Sequence, residues 1–145
     1  MTEEHFRKLE RMYLSANYNQ HIYRESSISI TAQRTEISLI IQAKYFHALS
    51  AIHGSVYFKM LDDAAYFATS IMFTDYFILT THFDLDLLRA VKSGIIRAIG
   101  KVVSINESPF TAEAFIVNEA GKKVASGRGK FVKSKISLSS AAGYQ

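Results

Sequence analysis

The stretch from Val56 to Phe73 is apolar almost all the way round when wound at 3.6 residues per turn. A helix with no polar stripe must be surrounded, either by lipid or by the rest of its own protein. Lipid is the poorer host, because Lys59, Asp62 and Asp63 interrupt the run and each charge is costly at a bilayer centre. The stretch is therefore expected to be a central helix that other elements wrap. With 145 residues, 48% of them hydrophobic, the chain has material for one good core and too little for two ordinary domains. The expectation is one domain over 1–145, with its core at about 27–133.

The elements around the helix follow from periodicity. Phe6, Leu9, Met12, Tyr13 and Ala16 recur at three- and four-residue spacing, with Glu3 and Glu4 in the first turn, where the helix dipole favours acids; this predicts a lead-in helix over about 3–16. From Ser27 to Ile41 the apolar residues become β-branched, with Gln33 and Arg34 near a turn, which predicts a strand pair or one long bent strand. From Thr80 to Leu88 the pattern alternates, Phe83, Leu85 and Leu87 against His82, Asp84 and Asp86, as in a half-exposed strand. Three more strand-like runs, Gly94–Ile105, Thr111–Val117 and Lys123–Val132, complete the order, the last two joined by a hairpin through Asn118–Lys122. Pro109 falls in the loop before that hairpin, and the Ser- and Ala-rich tail, residues 136–145, is expected to be flexible. The fold class is α+β, an antiparallel sheet wrapped around one long helix.

Composition excludes several chemistries. There is no cysteine, so no disulfide framework, thiolate nucleophile or thiolate zinc site. The N-terminal residues lack a basic segment followed by an apolar one, the mark of a secretory signal, so a cytoplasmic protein is expected. A net charge of +4 would suit an anionic partner, but the basic residues are scattered without a nucleic-acid motif. The five histidines show no metal-ligand spacing. Neither a nucleic-acid, a membrane nor a metal partner is expected, and no cofactor.

The densest polar cluster in apolar surroundings is His53-Gly54-Ser55 leading into Lys59, Asp62 and Asp63. A helix N-terminus presents unpaired N–H groups, and glycine lets a ligand oxygen approach them. Gly54 could donate to an oxyanion there, or could simply relieve a tight turn that Ser55 caps. Asp62 and Asp63 leave the helix about 100° apart and cannot easily share one task. Either could pair with Lys59, while an acid in an apolar helix suggests a pKa tuned for use. His47 and His53 are candidates as bases or as hydrogen-bonded structural residues.

The stretch His53-Gly-Ser-Val-Tyr-Phe-Lys-Met-Leu-Asp62-Asp-Ala-Ala resembles the signature of the PaaI-like acyl-CoA thioesterases of the hotdog-fold superfamily. In that family a His-Gly-Gly loop precedes a helix whose acid lies nine positions after the histidine, and Asp62 takes that place. Thr80-Thr-His-Phe-Asp-Leu-Asp-Leu-Leu-Arg89-Ala is similar to the family's strand after the helix, and Val124-Ala-Ser-Gly-Arg-Gly-Lys-Phe131 to its last strand. The chain has Ser55 where the family has a second glycine, and His47 where it often has an asparagine that helps hold the attacking water or the substrate.

The resemblance implies a hotdog fold working as a homodimer, or a dimer of dimers, with an acyl thioester of coenzyme A bound in a tunnel between subunits. It implies that Asp62 activates a water or attacks the thioester carbonyl itself, while the Gly54 amide holds the oxyanion. His47 would substitute for the asparagine, Thr80 would contact the water or acyl group, and Ser55 and Asp63 would border the substrate. Arg89, with Arg97 and Arg128 behind it, would meet the phosphates of coenzyme A. The opposing reading is a hotdog protein that binds acyl-CoA or a small ligand without turnover, in a regulatory role. A dehydratase on the same fold would need His and acid motifs that this sequence does not show.

Overall fold

The computed structural model describes residues 2–145. Helix α1 (Glu3–Ser15) forms where the spacing puts it: the Thr2 hydroxyl accepts from the His5 N–H at 3.2 Å, and Phe6, Leu9, Met12 and Tyr13 are buried. A short α2 (Asn17–His21) follows unannounced, because it buries Asn19 and no apolar residue. Strands β1 (Ser26–Ile30) and β2 (Thr35–Ile40) are a pair, Ile28 opposite Ile37, which decides between the two readings of that segment.

Helix α3 (Gly54–Ser70) is the central helix, beginning two residues before the apolar run and ending three short of its end. The Thr69 and Ser70 hydroxyls donate to the carbonyls of Ala65 and Tyr66, both at 3.0 Å. Such bonds compete with the helical ladder and mark where it stops. Four strands follow: β3 (Tyr76–Leu87), β4 (Ile95–Ser104), β5 (Phe110–Val117) and β6 (Lys123–Ser137). The six form one antiparallel sheet in the order β1-β2-β4-β5-β6-β3, curled around α3, which touches β2 through β6. This is the hotdog architecture.

Small residues set the distance between helix and sheet. A Cβ on Gly100 would lie 2.1 Å from the Ala64 carbonyl oxygen, and Ala64, Ala65, Ala98, Ala112 and Ala114 are buried around that approach. The β5–β6 hairpin forms as expected, with Asn118 Oδ1 accepting from the Ala120 and Lys122 N–H groups and Gly121 at φ 81°.

Strand β6 runs five residues past its expected end, and the tail, expected to be flexible, lies against α1. Leu138 is 3% exposed, the Tyr144 hydroxyl is 2.8 Å from His5 Nδ1, and Arg11 donates to the Gln145 carbonyl. The sheet's two edges differ. On the β1 side, Arg7 donates to the Ile30 carbonyl at 2.7 Å and the Ile30 N–H donates to Glu10 at 2.8 Å. Strand β3, twelve residues long, has no neighbour on its outer edge among the described residues and exposes Tyr76, Leu79 and Leu87. No helix among the described residues is long and apolar enough to cross a membrane.

Candidate active site

One stripe of α3 escapes full burial: Ser55, Phe58, Asp62 and Tyr66, spaced so that they share a face. Asp62 meets β3 there, accepting a hydrogen bond from the Thr80 hydroxyl at 2.9 Å. Burial pushes the Asp62 carboxyl up to about 6; the Thr80 bond and the Lys59 charge pull against that, and the Asp63 charge adds to it. Such a group is still mostly ionised at neutral pH, yet is a stronger base than an ordinary aspartate.

Asp63, about 100° round the helix, does something else. Its Oδ2 is 2.8 Å from Lys59 Nζ, and Lys59 is 8% exposed. Lys59 also donates to the Tyr13 hydroxyl at 3.1 Å and to Asn19 Oδ1, and stands over the rings of Tyr13 and Tyr23. Burial works against the ammonium, but the Asp63 carboxylate and Tyr13 outweigh it and leave Lys59 above the ordinary lysine value. The neighbouring acids thus divide: Asp62 faces a strand hydroxyl and Asp63 closes a buried ion pair.

The helix N-terminus holds the second group. His53 caps α3, its Nδ1 accepting from the Ser55 N–H at 3.0 Å with the Ser55 hydroxyl 2.9 Å away. Among the described residues the Gly54 N–H has no hydrogen-bond partner, and a Cβ on Gly54 would sit 3.3 Å from Leu87 Cδ1. Gly54, His47 and Arg89 line a shared hollow of about 360 Å³. His47 Nδ1 accepts from the Leu49 N–H at 3.1 Å, and the Tyr57 hydroxyl fixes the Arg89 carbonyl at 2.7 Å.

The two groups do not meet within the single chain. Gly54 and Asp62 are separated by about 12 Å of helix rise, and Phe58 stands between them, edge-on to Phe83 with ring centroids 5.7 Å apart. Arg97 and Arg128 join neither group. They lie on the sheet face away from α3, where Arg97 pairs with Glu36 at 2.7 Å and Arg128 with Glu113 at 3.1 Å. Among the described residues no three His, Asp or Glu side chains are arranged to hold a metal ion.

Sequence reasoning missed the space beside Asp62. A cavity of about 640 Å³ opens there, bounded by α3, β3, the α1–α2 junction and the chain's end. No local pattern shows it, since its walls come from segments far apart in sequence. Only the Lys59-to-Asp63 spacing hinted at the ion pair that fastens one wall.

The family described as the thioesterase superfamily matches residues 49–125. Among solved structures, the E. coli PaaI protein from the phenylacetic acid degradation operon is 18% identical, with 92% of this chain and 96% of that one covered and a TM-score of 0.78. A thioesterase from Haemophilus influenzae is 16% identical, covering 85% and 87% with a TM-score of 0.74. A mutant thioesterase from Pseudomonas aeruginosa is 13% identical, covering 88% and 94% with a TM-score of 0.75. At these identities the likeness is one of fold. No curated protein sequence matches the chain.

Proposed function

The chain belongs to the thioesterase superfamily, and from that premise we propose that it hydrolyses acyl-CoA thioesters as a homodimer in which Asp62 of one protomer and Gly54 of the other act on the same carbonyl. The observation that carries this reading is the Asp62–Thr80 pair: a half-buried carboxyl raised to about 6, beside an apolar cavity. Buried acids without a task are usually neutralised by a partner, as Asp63 is by Lys59.

The separation of the two groups and the open edge of β3 support the dimer. A long edge strand with unpaired backbone N–H and C=O groups invites pairing with another chain, and a two-fold axis across β3 pairs both copies of that edge at once. It also sets the stripe of Ser55, Phe58 and Asp62 against a second protomer.

In that setting the ionised Asp62 takes a proton from water, the hydroxide adds to the thioester carbon, and the Gly54 N–H holds the resulting oxyanion. Collapse expels the thiolate, which recovers the proton from Asp62. Direct attack by the carboxylate is the alternative first step: it breaks the C–S bond, expels the coenzyme A thiolate and leaves a mixed anhydride on Asp62, which water then cleaves to the free acid and the regenerated carboxylate. Arg89 meets the phosphates of coenzyme A in this reading, which its exposure at the rim of the Gly54 hollow supports. Arg97 and Arg128, already paired with glutamates, take no part.

Thiol release from a panel of acyl-CoA thioesters tests the function. Release that disappears in Asp62→Asn supports it. Binding of acyl-CoA without thiol release would leave the regulatory reading, and reversible dehydration with the thioester intact would make the chain a dehydratase.

A further inference from the structure

Much of the cavity beside Asp62 is built by segments outside residues 49–125, the part that matches the family. Met12 and Ala16 come from the N-terminal side, and Ile136, Ala141 and Ala142 from the chain's end. Both walls are fastened. Lys59 holds Tyr13 and Asn19 from below, and His5 joins three elements, with Nε2–H donating to the Ser70 carbonyl at 2.9 Å and Nδ1 2.8 Å from the Tyr144 hydroxyl.

The lining selects its occupant by charge. Among the described residues no lysine, arginine or histidine borders the cavity, so nothing there offers a cation to a phosphate or carboxylate. Most of its polar groups are already engaged: Asn19 and Asp63 with Lys59, Thr80 with Asp62, and the Tyr66 hydroxyl with the Ile78 carbonyl at 2.8 Å. What remains is apolar, chiefly Phe67, Phe77 and the five residues of the two walls. Its volume, about 640 Å³, lies within the range of about 300–1,000 Å³ typical of small-molecule pockets and is far more than an acetyl group fills.

Resting on the hydrolase reading, we propose that this cavity receives the acyl group of the thioester, an uncharged apolar chain much longer than acetyl, and that the α1–α2 junction and the C-terminal segment set the length accepted. The thioester carbonyl lies at the Asp62–Thr80 pair, and the coenzyme A moiety leads away from the cavity. Chain-length preference therefore depends on residues of α1, the α1–α2 junction and the C-terminal segment as well as on the segment that carries the family signature.

The test narrows each wall separately. Ala16→Phe fills the N-terminal side, and Ala142→Leu, at an exposed position, fills the C-terminal side without touching the core. kcat/KM is measured for acetyl-, hexanoyl- and octanoyl-CoA, and binding of octanamide, a neutral analogue, is followed by calorimetry. The expected result is a loss of about 10-fold or more in the octanoyl-to-acetyl ratio in both variants, with octanamide binding weakened in parallel. A ratio within about twofold of the native one in both folded variants overturns the assignment. If the native chain hydrolyses none of the thioesters, the hydrolase reading fails, and octanamide decides the cavity by itself. Binding that both variants weaken upholds an acyl pocket, and absence of binding removes it.

Discussion

The Thr80 hydroxyl donates to Asp62 Oδ1 across 2.9 Å, tying the middle of β3 to the exposed stripe of α3. The bond opposes burial: burial raises the carboxyl toward 6, and the hydroxyl, which favours the charged form, lowers it. Thr80→Val removes the donor and keeps the shape. The acid limb of the pH dependence of kcat/KM should then move upward by about one unit, with activity at pH 6 falling more than at pH 8. Thr80→Ser should restore the native limb. A Thr80→Val profile superimposable on the native one would remove Asp62 as the group that titrates.

Asp62→Asn should lower kcat by about 10²-fold or more, since a general base acts chiefly on the transition state, while Asp63→Asn does much less to kcat. Stability should move the other way for Asp62. Its folded value, about 6, lies above the ordinary 3.8, so between those values the folded state binds more protons than the unfolded one. Stability therefore falls as pH rises through that window and stays lower above it. Asn carries no such charge, and Asp62→Asn should be more stable than the native protein at pH 7 by on the order of 1 kcal/mol, allowing for partial solvent screening. Urea unfolding at pH 7 and pH 4 checks the sign, because the difference should close at the lower pH.

How much of this was legible in sequence depended on whether the signal was local. The all-round apolar run gave α3, alternation gave β3, and Asn118 with Gly121 gave the hairpin, because each is a property of a few consecutive residues. The hotdog signature, His53 to Asp62, pointed to two chemical groups but not to the 12 Å or so of helix between them, which follows only once the helix is laid down. Helix α2 and the cavity were invisible, since Asn19 is a polar residue buried for the sake of Lys59, and Ala16 and Ala142 become neighbours of one space only through tertiary folding. The packing of the tail is not legible in its small residues, because it rests on Leu138 and on Tyr144 reaching His5.

Lys59 should matter more to stability than any other charge in the chain. Lys59→Met leaves Asp63 facing an apolar side chain and strips the hydrogen bonds from Tyr13 and Asn19. Breaking one side of a buried pair costs about 3–5 kcal/mol, and removing both sides much less. Since Asp63 keeps some exposure, the lower figure applies to Lys59→Met, and Lys59→Met with Asp63→Leu should recover most of it. Urea midpoints of the single and double variants measure this. A single variant as stable as the native protein would show that the ion pair does not fasten α1 and α2.

The dimeric site can be tested by complementation. Gly54 is the first residue of α3, where proline is well tolerated, and His53 before it has φ −65° and ψ 148°, the extended conformation that a following proline requires. Gly54→Pro therefore deletes the N–H proposed to hold the oxyanion without breaking the helix, and kcat should fall by about 10²-fold or more. Asp62→Asn should lose activity for a different reason, the loss of the base. If each site takes Asp62 from one protomer and Gly54 from the other, a hybrid of the two variants has one site carrying both lesions and one fully native. Random mixing makes about half the dimers hybrid, so the mixture should recover about a quarter of native activity although neither variant is active alone. Light scattering establishes that the mixed species is a dimer. If Asp62 and Gly54 served the same site from one chain, every site would carry a lesion and no activity would return; that outcome, with hybrid dimers demonstrably present, rules out the shared site.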